Sequence, residues 1–308
     1  MILIYFILFT IAYATELCAW NYRFDSEDNH FNIVYPDKNA VYFGTILPPQ
    51  TSNLFISNPI NHPIATYFSV QIYNNDTALY HFNDVELLGG NMEVTTPYSL
   101  NLTLDSELRY FALFRIYESQ IYTRSDVLNY WSASLPVTFI NNIRFTLCDI
   151  DYSQQGNIYS HSNETACSGL DEFMFMDAPA HSLMNSDANY MIACIRPGVN
   201  YTVSIVLPEI MKYPDFDSYY DVRYASLSLV STSRPRPTVS TVSLGSYNNV
   251  YRDTIIVDDS IPSPAMLYRQ ILPNPNFSHS IEKAREKCGS ELKCIKVVMG
   301  KYYPRIEY

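Results

Sequence analysis

The sequence predicts an all-β protein of two related sandwich-like or jelly-roll-like units, followed by a short C-terminal helix. Three observations predict this fold class. The 308 residues include 27 tyrosines and 16 phenylalanines, and aromatic residues are enriched in strands. Short runs of Tyr, Phe, Ile, Val and Thr alternate with clusters of Asn, Asp, Ser and Pro, as in strands joined by turns. The same order of strand-like blocks also occurs twice along the chain.

The individual strands are predicted where an apolar run is bounded by turn residues. A helix is predicted only near the end, where Ser280 can cap residues 281–287 and Gly289 can close the last turn. The clearest predicted strands cover residues 40–47, 67–73, 98–104, 110–117, 137–140, 190–195, 201–207, 224–230, 238–244 and 254–257.

Five blocks recur in the same order, displaced by about 150 residues. The segment 67–72 (YFSVQI) resembles 224–229 (YASLSL), and 113–117 (LFRIY) resembles 267–271 (LYRQI). Any one match is only a β pattern, but the shared order favours an internal duplication. Because strand side chains alternate between faces, Val70 and Ile72 share an aliphatic face that we expect to point into the core.

The duplication sets the predicted domain boundaries. Residues 1–14 are predicted to be a signal peptide, 15–150 the first β unit and 151–308 the second. The polar stretch 153–187 is interpreted as a surface insertion, and 280–308 as a helical, basic tail. That tail carries a net charge of +3 over residues 281–308, from seven Lys and Arg against four Glu, so it could dock on the acidic body.

Export is predicted from the N-terminus. Residues 1–14 are mostly apolar and end in Ala12-Tyr13-Ala14, a small-x-small pattern typical of signal-peptidase cleavage. The segment has no Lys or Arg, so an uncleaved anchor is the alternative. A secreted or extracellular protein is the preferred localisation.

Cysteines and glycosylation sequons are in keeping with that compartment. The chain has six cysteines, and an even number suits an oxidising environment. Cys288 and Cys294 are the easiest pair to close; the pairing of the other four is left open: Cys18, Cys148, Cys167 and Cys194. The predicted N-glycosylation acceptors are Asn75, Asn101, Asn163, Asn200 and Asn276.

Composition and motifs exclude several classes of function. A net charge of −11 makes a nucleic-acid partner improbable, because phosphate contacts need basic patches. No nucleophile elbow, phosphate loop, zinc-protease helix or calcium loop occurs in the sequence. The six histidines are scattered, none at ligand spacing, and no cofactor is predicted.

The same blocks resemble an uncharacterised family of exported, mostly bacterial proteins with no established activity. The resemblance covers most of the mature chain and is carried by residues 37–42 (DKNAVY), Tyr67, 223–227 (RYASL), 269–273 (RQILP) and 298–305 (VMGKYYPR). The chain departs from the family at 88–91. It also departs at Ser228, a position at which the family tends to have cysteine. The resemblance therefore implies an exported β protein but transfers no disulfide and no functional residue.

Three groups of side chains could carry chemistry. Two acidic clusters, Asp149 with Asp151 and Asp215 with Asp217 and Asp221, could form a glycosidase-like pair or a calcium site; loop solubility is the simpler interpretation. Arg115 and Arg269 occupy matching places in the two units and could face an anionic ligand or form structural ion pairs. Exposed tyrosines could stack on sugar rings: Tyr219, Tyr220, Tyr302 and Tyr303.

The function expected from the sequence is therefore non-catalytic. We expect a secreted or cell-surface glycoprotein that binds a glycan or another extracellular ligand, or serves a structural surface role. The alternative is a secreted carboxylate-dependent hydrolase. The partner itself is not predicted, and a membrane enters only if the N-terminal segment is uncleaved.

Overall fold

The computed structural model shows a mostly antiparallel β protein with two short helices near its C-terminus. It describes residues 16–21, 37–47, 53–56, 66–74, 77–83, 98–101, 110–118, 137–139, 144–147, 171–176, 185–212, 219–233 and 238–307. The predicted all-β class with a C-terminal helix is confirmed.

The first half of the chain forms two sheets. Its larger sheet has the order β5-β4-β7-β2-β1-β9, and the smaller one has the order β6-β3-β8. All pairings are antiparallel except that of β1 with β9. The strands are β1 (Glu16–Asn21), β2 (Ala40–Leu47), β3 (Asn53–Ile56), β4 (Tyr67–Asn74), β5 (Thr77–Asn83), β6 (Tyr98–Asn101), β7 (Tyr110–Tyr117), β8 (Val137–Phe139) and β9 (Arg144–Leu147).

The second half also forms two antiparallel sheets, of order β10-β11-β16-β13-β14 and β15-β12-β17. Two helices, α1 (Ile281–Cys288) and α2 (Leu292–Met299), precede the last strand. The strands are β10 (Met174–Phe175), β11 (Ala188–Cys194), β12 (Asn200–Val206), β13 (Val222–Ser231), β14 (Thr238–Ser243), β15 (Val250–Ile256), β16 (Pro264–Pro273) and β17 (Arg305–Glu307).

The two halves share a strand order. The run β5-β4-β7-β2 of the first half corresponds to β14-β13-β16-β11 of the second, and β6-β3-β8 to β15-β12-β17. The register matches as well, because Ser69 lies opposite Arg115 while Ser226 lies opposite Arg269. Glu118, directly after β7, and Leu272, the penultimate residue of β16, both have positive φ, 48° and 45°. An origin by duplication stays a prediction.

The second half has an apolar core between its two sheets and its helices. β12 alternates as its sequence predicts, with Tyr201, Val203 and Ile205 fully buried and the intervening residues more exposed. From the helical segment, Ile281, Ala284, Ile295 and Met299 join this core, so the basic tail is an integral part of the unit.

The first helix begins and ends where the sequence predicts. The Ser280 hydroxyl accepts a hydrogen bond of 3.1 Å from the Lys283 backbone N–H and so satisfies one of the free donors of the first turn. Gly289 ends the helix at φ +55°, a conformation that glycine adopts at low cost. The second helix, Leu292–Met299, was not predicted.

One expectation about burial needs correction. Part of the predicted surface insertion 153–187 lies inside the protein, since β10 pairs with β11 and Phe173 is fully buried. The aliphatic face of β4 is buried as expected, with Val70 and Ile72 at 0% exposure, but its polar face is buried too. That face meets the second half of the chain, as described below.

Cys288 and Cys294 form a disulfide, with a Cα–Cα distance of 5.5 Å. Cys194 is disulfide-bonded too. No helix in the described ranges is long and apolar enough to cross a membrane.

Candidate functional site

A buried polar layer joins the two halves of the chain. It is formed by the polar faces of β4 and β7 on one side and of β13 and β16 on the other. Its members are Tyr67, Ser69, Gln71, Tyr73, Arg115 and Tyr117 with Tyr224, Ser226 and Arg269, all at most 2% exposed. Burial of so many polar groups is tolerated only where they are hydrogen-bonded.

The Asp37 carboxylate accepts most of the hydrogen bonds that side chains of the second half donate to the first half. Its Oδ2 accepts hydrogen bonds from the Tyr224 hydroxyl at 2.9 Å and the Ser226 hydroxyl at 2.7 Å, and it is ion-paired with Arg269. The Asp37 and Arg269 side chains are 0% and 2% exposed. Burial and the Asp37 charge raise the pKa of Tyr224 well above its usual range, so its phenol stays a donor.

The second half makes the reciprocal contact. The Tyr67 hydroxyl donates to Asn185 Oδ1 at 3.0 Å and to Asp187 Oδ2 at 2.6 Å, and Gln71 Nε2 donates to Ser186 Oγ at 2.7 Å. Thus the turn before β2 reaches the second sheet, and the turn before β11 reaches the first. Burial and the nearby Asp187 raise the pKa of Tyr67 in the same way.

The two arginines predicted as candidates are part of this layer. Arg115 donates to Gln71 Oε1 at 2.9 Å and to the Tyr73 hydroxyl at 2.7 Å. The Arg269 guanidinium lies 5.2 Å from the Tyr190 ring centroid. Each buried cation is held by groups of the protein itself, which agrees with a structural role.

A partly exposed aromatic surface lies on the second half. We define it as the exposed Tyr219 and His279 together with the half-buried Tyr302. Tyr219 is 57% exposed, and its hydroxyl donates to Asp221 Oδ1 at 2.9 Å. That hydrogen bond, with smaller effects that include the Tyr302 phenol, raises the pKa of Tyr219.

The Tyr302 and His279 rings are held in place by neighbouring residues. The Tyr302 ring packs edge-on against the buried Phe277 ring, with 5.1 Å between the ring centroids. The His279 ring lies 5.7 Å from the Tyr302 ring, and the two planes are tilted by 36°. His279 Nδ1 lies 2.6 Å from the Val298 carbonyl oxygen, which holds the imidazole in place. The Tyr302 and His279 rings are thus held in defined positions by their neighbours.

Polar groups border these rings. Asp221 Oδ2 accepts from the Glu209 backbone N–H at 2.9 Å, so the carboxylate that holds Tyr219 is itself fixed. Lys301 Nζ lies 4.9 Å from the Tyr302 ring centroid, within the range of a cation–π contact. The aromatic surface therefore combines apolar faces with a carboxylate and an ammonium group.

The four tyrosines predicted for sugar stacking differ in their placement. Tyr219 is exposed and Tyr302 is half-buried, and both belong to the aromatic surface. Tyr220 is half-buried as well, whereas Tyr303 is buried and donates to the Phe173 carbonyl at 2.8 Å. His279 was not predicted as a site residue, because a single histidine in a sequence does not indicate a site. Its contact with Tyr302 exists only in the folded protein. No regular spacing along the chain relates residues 219, 279 and 302.

Other predicted sites are placed only in part. Asn200 and Asn276 are exposed, and Asn101 ends β6; Asn75 and Asn163 lie outside the described residues. So do the carboxylates proposed for a hydrolase or a calcium site, Asp149, Asp151, Asp215 and Asp217. Among the residues that are described, no group of three or more metal-ligating side chains is found.

A cavity of about 360 Å³ lies on another part of the second half. Asp171 and Glu172 line one side of it, and the last strand, β17, lines another. Lys296 Nζ forms an ion pair with Glu172 at 2.7 Å and lies 5.5 Å from the Tyr303 ring centroid. The basic tail thus contacts the acidic body here.

Comparisons with known proteins give a fold but no activity. No protein-family model matches the chain, and no curated protein matches it. Tomato vicilin and a tandem CBM22 domain of Paenibacillus barcinonensis Xyn10C align at 9% and 8% identity, over 77% and 89% of this chain and 76% and 88% of theirs. Their TM-scores of 0.19 and 0.20 are too low to indicate a shared fold.

One solved structure is more similar. It is a putative uncharacterized protein from Burkholderia cenocepacia, which aligns over 96% of this chain and 82% of its own length, with a TM-score of 0.53 and 8% identity. At this identity the likeness concerns the fold alone. The chain therefore shares its overall β fold with that bacterial protein, over nearly its whole length.

Proposed function

We propose that the protein is a non-catalytic binding protein of the cell exterior, whose ligand is a glycan held against the aromatic surface. The observation that carries the proposal is the exposed Tyr219 ring, whose phenol feels that of Tyr302, while the Tyr302 ring packs with the ring of the exposed His279. Tyrosine offers an apolar face for the C–H groups of a sugar and a polar tip for its hydroxyls.

The surface is preorganised for such a ligand. Tyr219 is held through its hydroxyl by Asp221, and Tyr302 is packed on Phe277. Rings that are already ordered lose little conformational entropy when a ligand stacks on them, which favours binding. The Asp221 carboxylate and the Lys301 ammonium supply hydrogen-bonding groups at the border of the rings.

The binding test is a glycan array followed by calorimetric titration of the best ligand. We expect Tyr219→Ala to weaken binding about tenfold or more, since one stacked ring contributes about 0.5–1.5 kcal/mol beyond its buried area. Tyr219→Phe keeps the ring but loses the Asp221 bond, so its affinity should be intermediate. The matched control is Tyr247→Ala, because Tyr247 is also exposed, at 41%, and packs on Tyr251 instead.

Two results would contradict this proposal. One is an array without any bound glycan. The other is a glycan whose affinity is the same for the wild type and for Tyr219→Ala. The array is probed with Asn276→Gln as well, because this predicted acceptor lies three residues before His279 and a glycan there could cover the surface.

Export belongs to the same proposal and has its own test. A Cys288–Cys294 disulfide is compatible with an oxidising compartment. Expression in a secreting eukaryotic host should give a medium fraction whose N-terminal residue is Thr15 and whose mass falls on treatment with an N-glycosidase. An N-terminal residue of Met1 would favour the uncleaved anchor instead.

A further inference from the structure

The last strand of the chain, β17, has one unpaired edge among the described residues. It pairs with β12 through Ser204–Arg305, Val203–Ile306 and Thr202–Glu307, and the sheet order β15-β12-β17 places it at the margin. The backbone N–H and C=O groups of an edge strand are a template for pairing with another strand. The three residues of β17 also line the cavity of about 360 Å³.

The side chains of β17 have a symmetric charge pattern. Arg305 and Glu307 are exposed and lie on one face, while Ile306 is half-buried on the other and packs against the core. Glu307 is ion-paired with Arg252 at 3.0 Å on the open surface. The Arg305 side chain has no hydrogen bond or ion pair with any other residue that the structure describes.

We infer that β17 pairs antiparallel with β17 of a second copy of this chain, about a two-fold axis at Ile306. In this register Arg305 of each copy lies opposite Glu307 of the other, and the two Ile306 residues face each other. Directly opposed residues of antiparallel strands share a face, so the two charge pairs form together on the outer face. An interface that is complementary to itself is what a two-fold dimer requires.

The other registers are unfavourable. Shifting the antiparallel pair by two residues places Arg305 opposite Arg305, or Glu307 opposite Glu307. Parallel pairing in register places Arg305 opposite Arg305 and also Glu307 opposite Glu307. Like charges directly opposed across a strand pair are destabilising. The pattern therefore selects one register with one partner, a second copy, over a peptide of unrelated sequence.

The dimer would contain a continuous six-stranded sheet of order β15-β12-β17-β17-β12-β15. This inference does not depend on the glycan proposal, because the aromatic surface uses other residues. If both hold, the dimer presents two aromatic surfaces, and a ligand with repeated units would gain from binding both.

The test is sedimentation of the full mature protein over a concentration series, after enzymatic removal of N-glycans, because Asn200 begins β12 on the neighbouring strand. The wild type should shift from monomer to dimer as concentration rises. Arg305→Glu alone and Glu307→Arg alone should each weaken the dimer about tenfold or more, since each replaces two attractive pairs by two repulsive ones. The double variant Arg305→Glu/Glu307→Arg should restore it.

The control is Lys293→Glu, which changes the net charge as much as Arg305→Glu does but at an exposed position of α2. Its dimerisation should equal that of the wild type. Circular dichroism and thermal unfolding of each variant verify that it is folded. A wild type that stays monomeric up to about 1 mM, where even a binding free energy near −4 kcal/mol would show, would overturn the inference. So would a double variant that stays as weak as the single ones.

Discussion

The Asp37 carboxylate and the Arg269 guanidinium form a buried ion pair that connects the two halves of the chain, 232 residues apart in sequence. Tyr224 and Ser226 donate to the same carboxylate, so its charge is both paired and hydrogen-bonded. The pair lies where the polar faces of two sheets meet. Such a contact stabilises one relative placement of the halves, because any other would leave charges buried without partners.

Replacing Asp37 should therefore be severely destabilising. We expect Asp37→Asn to lower the free energy of unfolding by about 3–5 kcal/mol, since it leaves the buried Arg269 without its counter-charge. Chemical denaturation monitored by tyrosine fluorescence measures the change. The control is Glu286→Gln, which removes the exposed helical pair with Lys283 and should cost well under about 1 kcal/mol. If the two variants lost the same free energy of unfolding, the buried pair would contribute no more to stability than the exposed one.

Glu118 should make stability depend on pH. Burial raises the pKa of the Glu118 carboxyl, the nearby Asp37 charge adds to the shift, and the hydrogen bond from Thr66 opposes it. A raised folded-state pKa means that the folded protein holds the proton more tightly, so this contribution to stability is present at low pH. It is lost as the pH rises from the ordinary value of about 4.5 through the raised one.

Glu118→Gln removes that titration and keeps an oxygen that can accept from Thr66, which donates to Glu118 Oε2 at 3.3 Å. We expect the variant to melt at a higher temperature than the wild type at pH 7, with the difference shrinking toward pH 4. Thermal unfolding across that range measures it. A variant less stable than the wild type at pH 7 would mean that the charged form is the stabilising one.

The Cys288–Cys294 disulfide should stabilise the C-terminal helices. It closes a short loop between α1 and α2, and the entropy lost by the unfolded chain on closing such a loop corresponds to about 2 kcal/mol. We expect Cys288→Ser/Cys294→Ser to lower the free energy of unfolding by about that amount. The control is reduction of the same double variant, which should leave the helical segment unaffected. An unchanged midpoint in the variant would show that packing of Ile295 and Met299 alone holds the helices.

Local sequence patterns determined many of the strands and the first helix. The strands 40–47 and 110–117 end at the predicted residues, and Ser280 and Gly289 bound the first helix. These features depend on neighbouring residues only, through side-chain alternation, turn residues and caps. The matching positions of Arg115 and Arg269 were also readable, because a repeat is a property of the sequence alone.

Tertiary structure decided what those residues do. Tyr67, Ser69 and Gln71 look like an exposed polar face, yet they are buried because the second half of the chain packs on them and supplies Asn185, Ser186 and Asp187 as partners. The aromatic surface likewise joins residues 219, 279 and 302, which no spacing along the chain relates. A sequence pattern specifies the two faces of a strand, but which face meets solvent depends on what folds against it, and that contact is made between residues far apart in the chain.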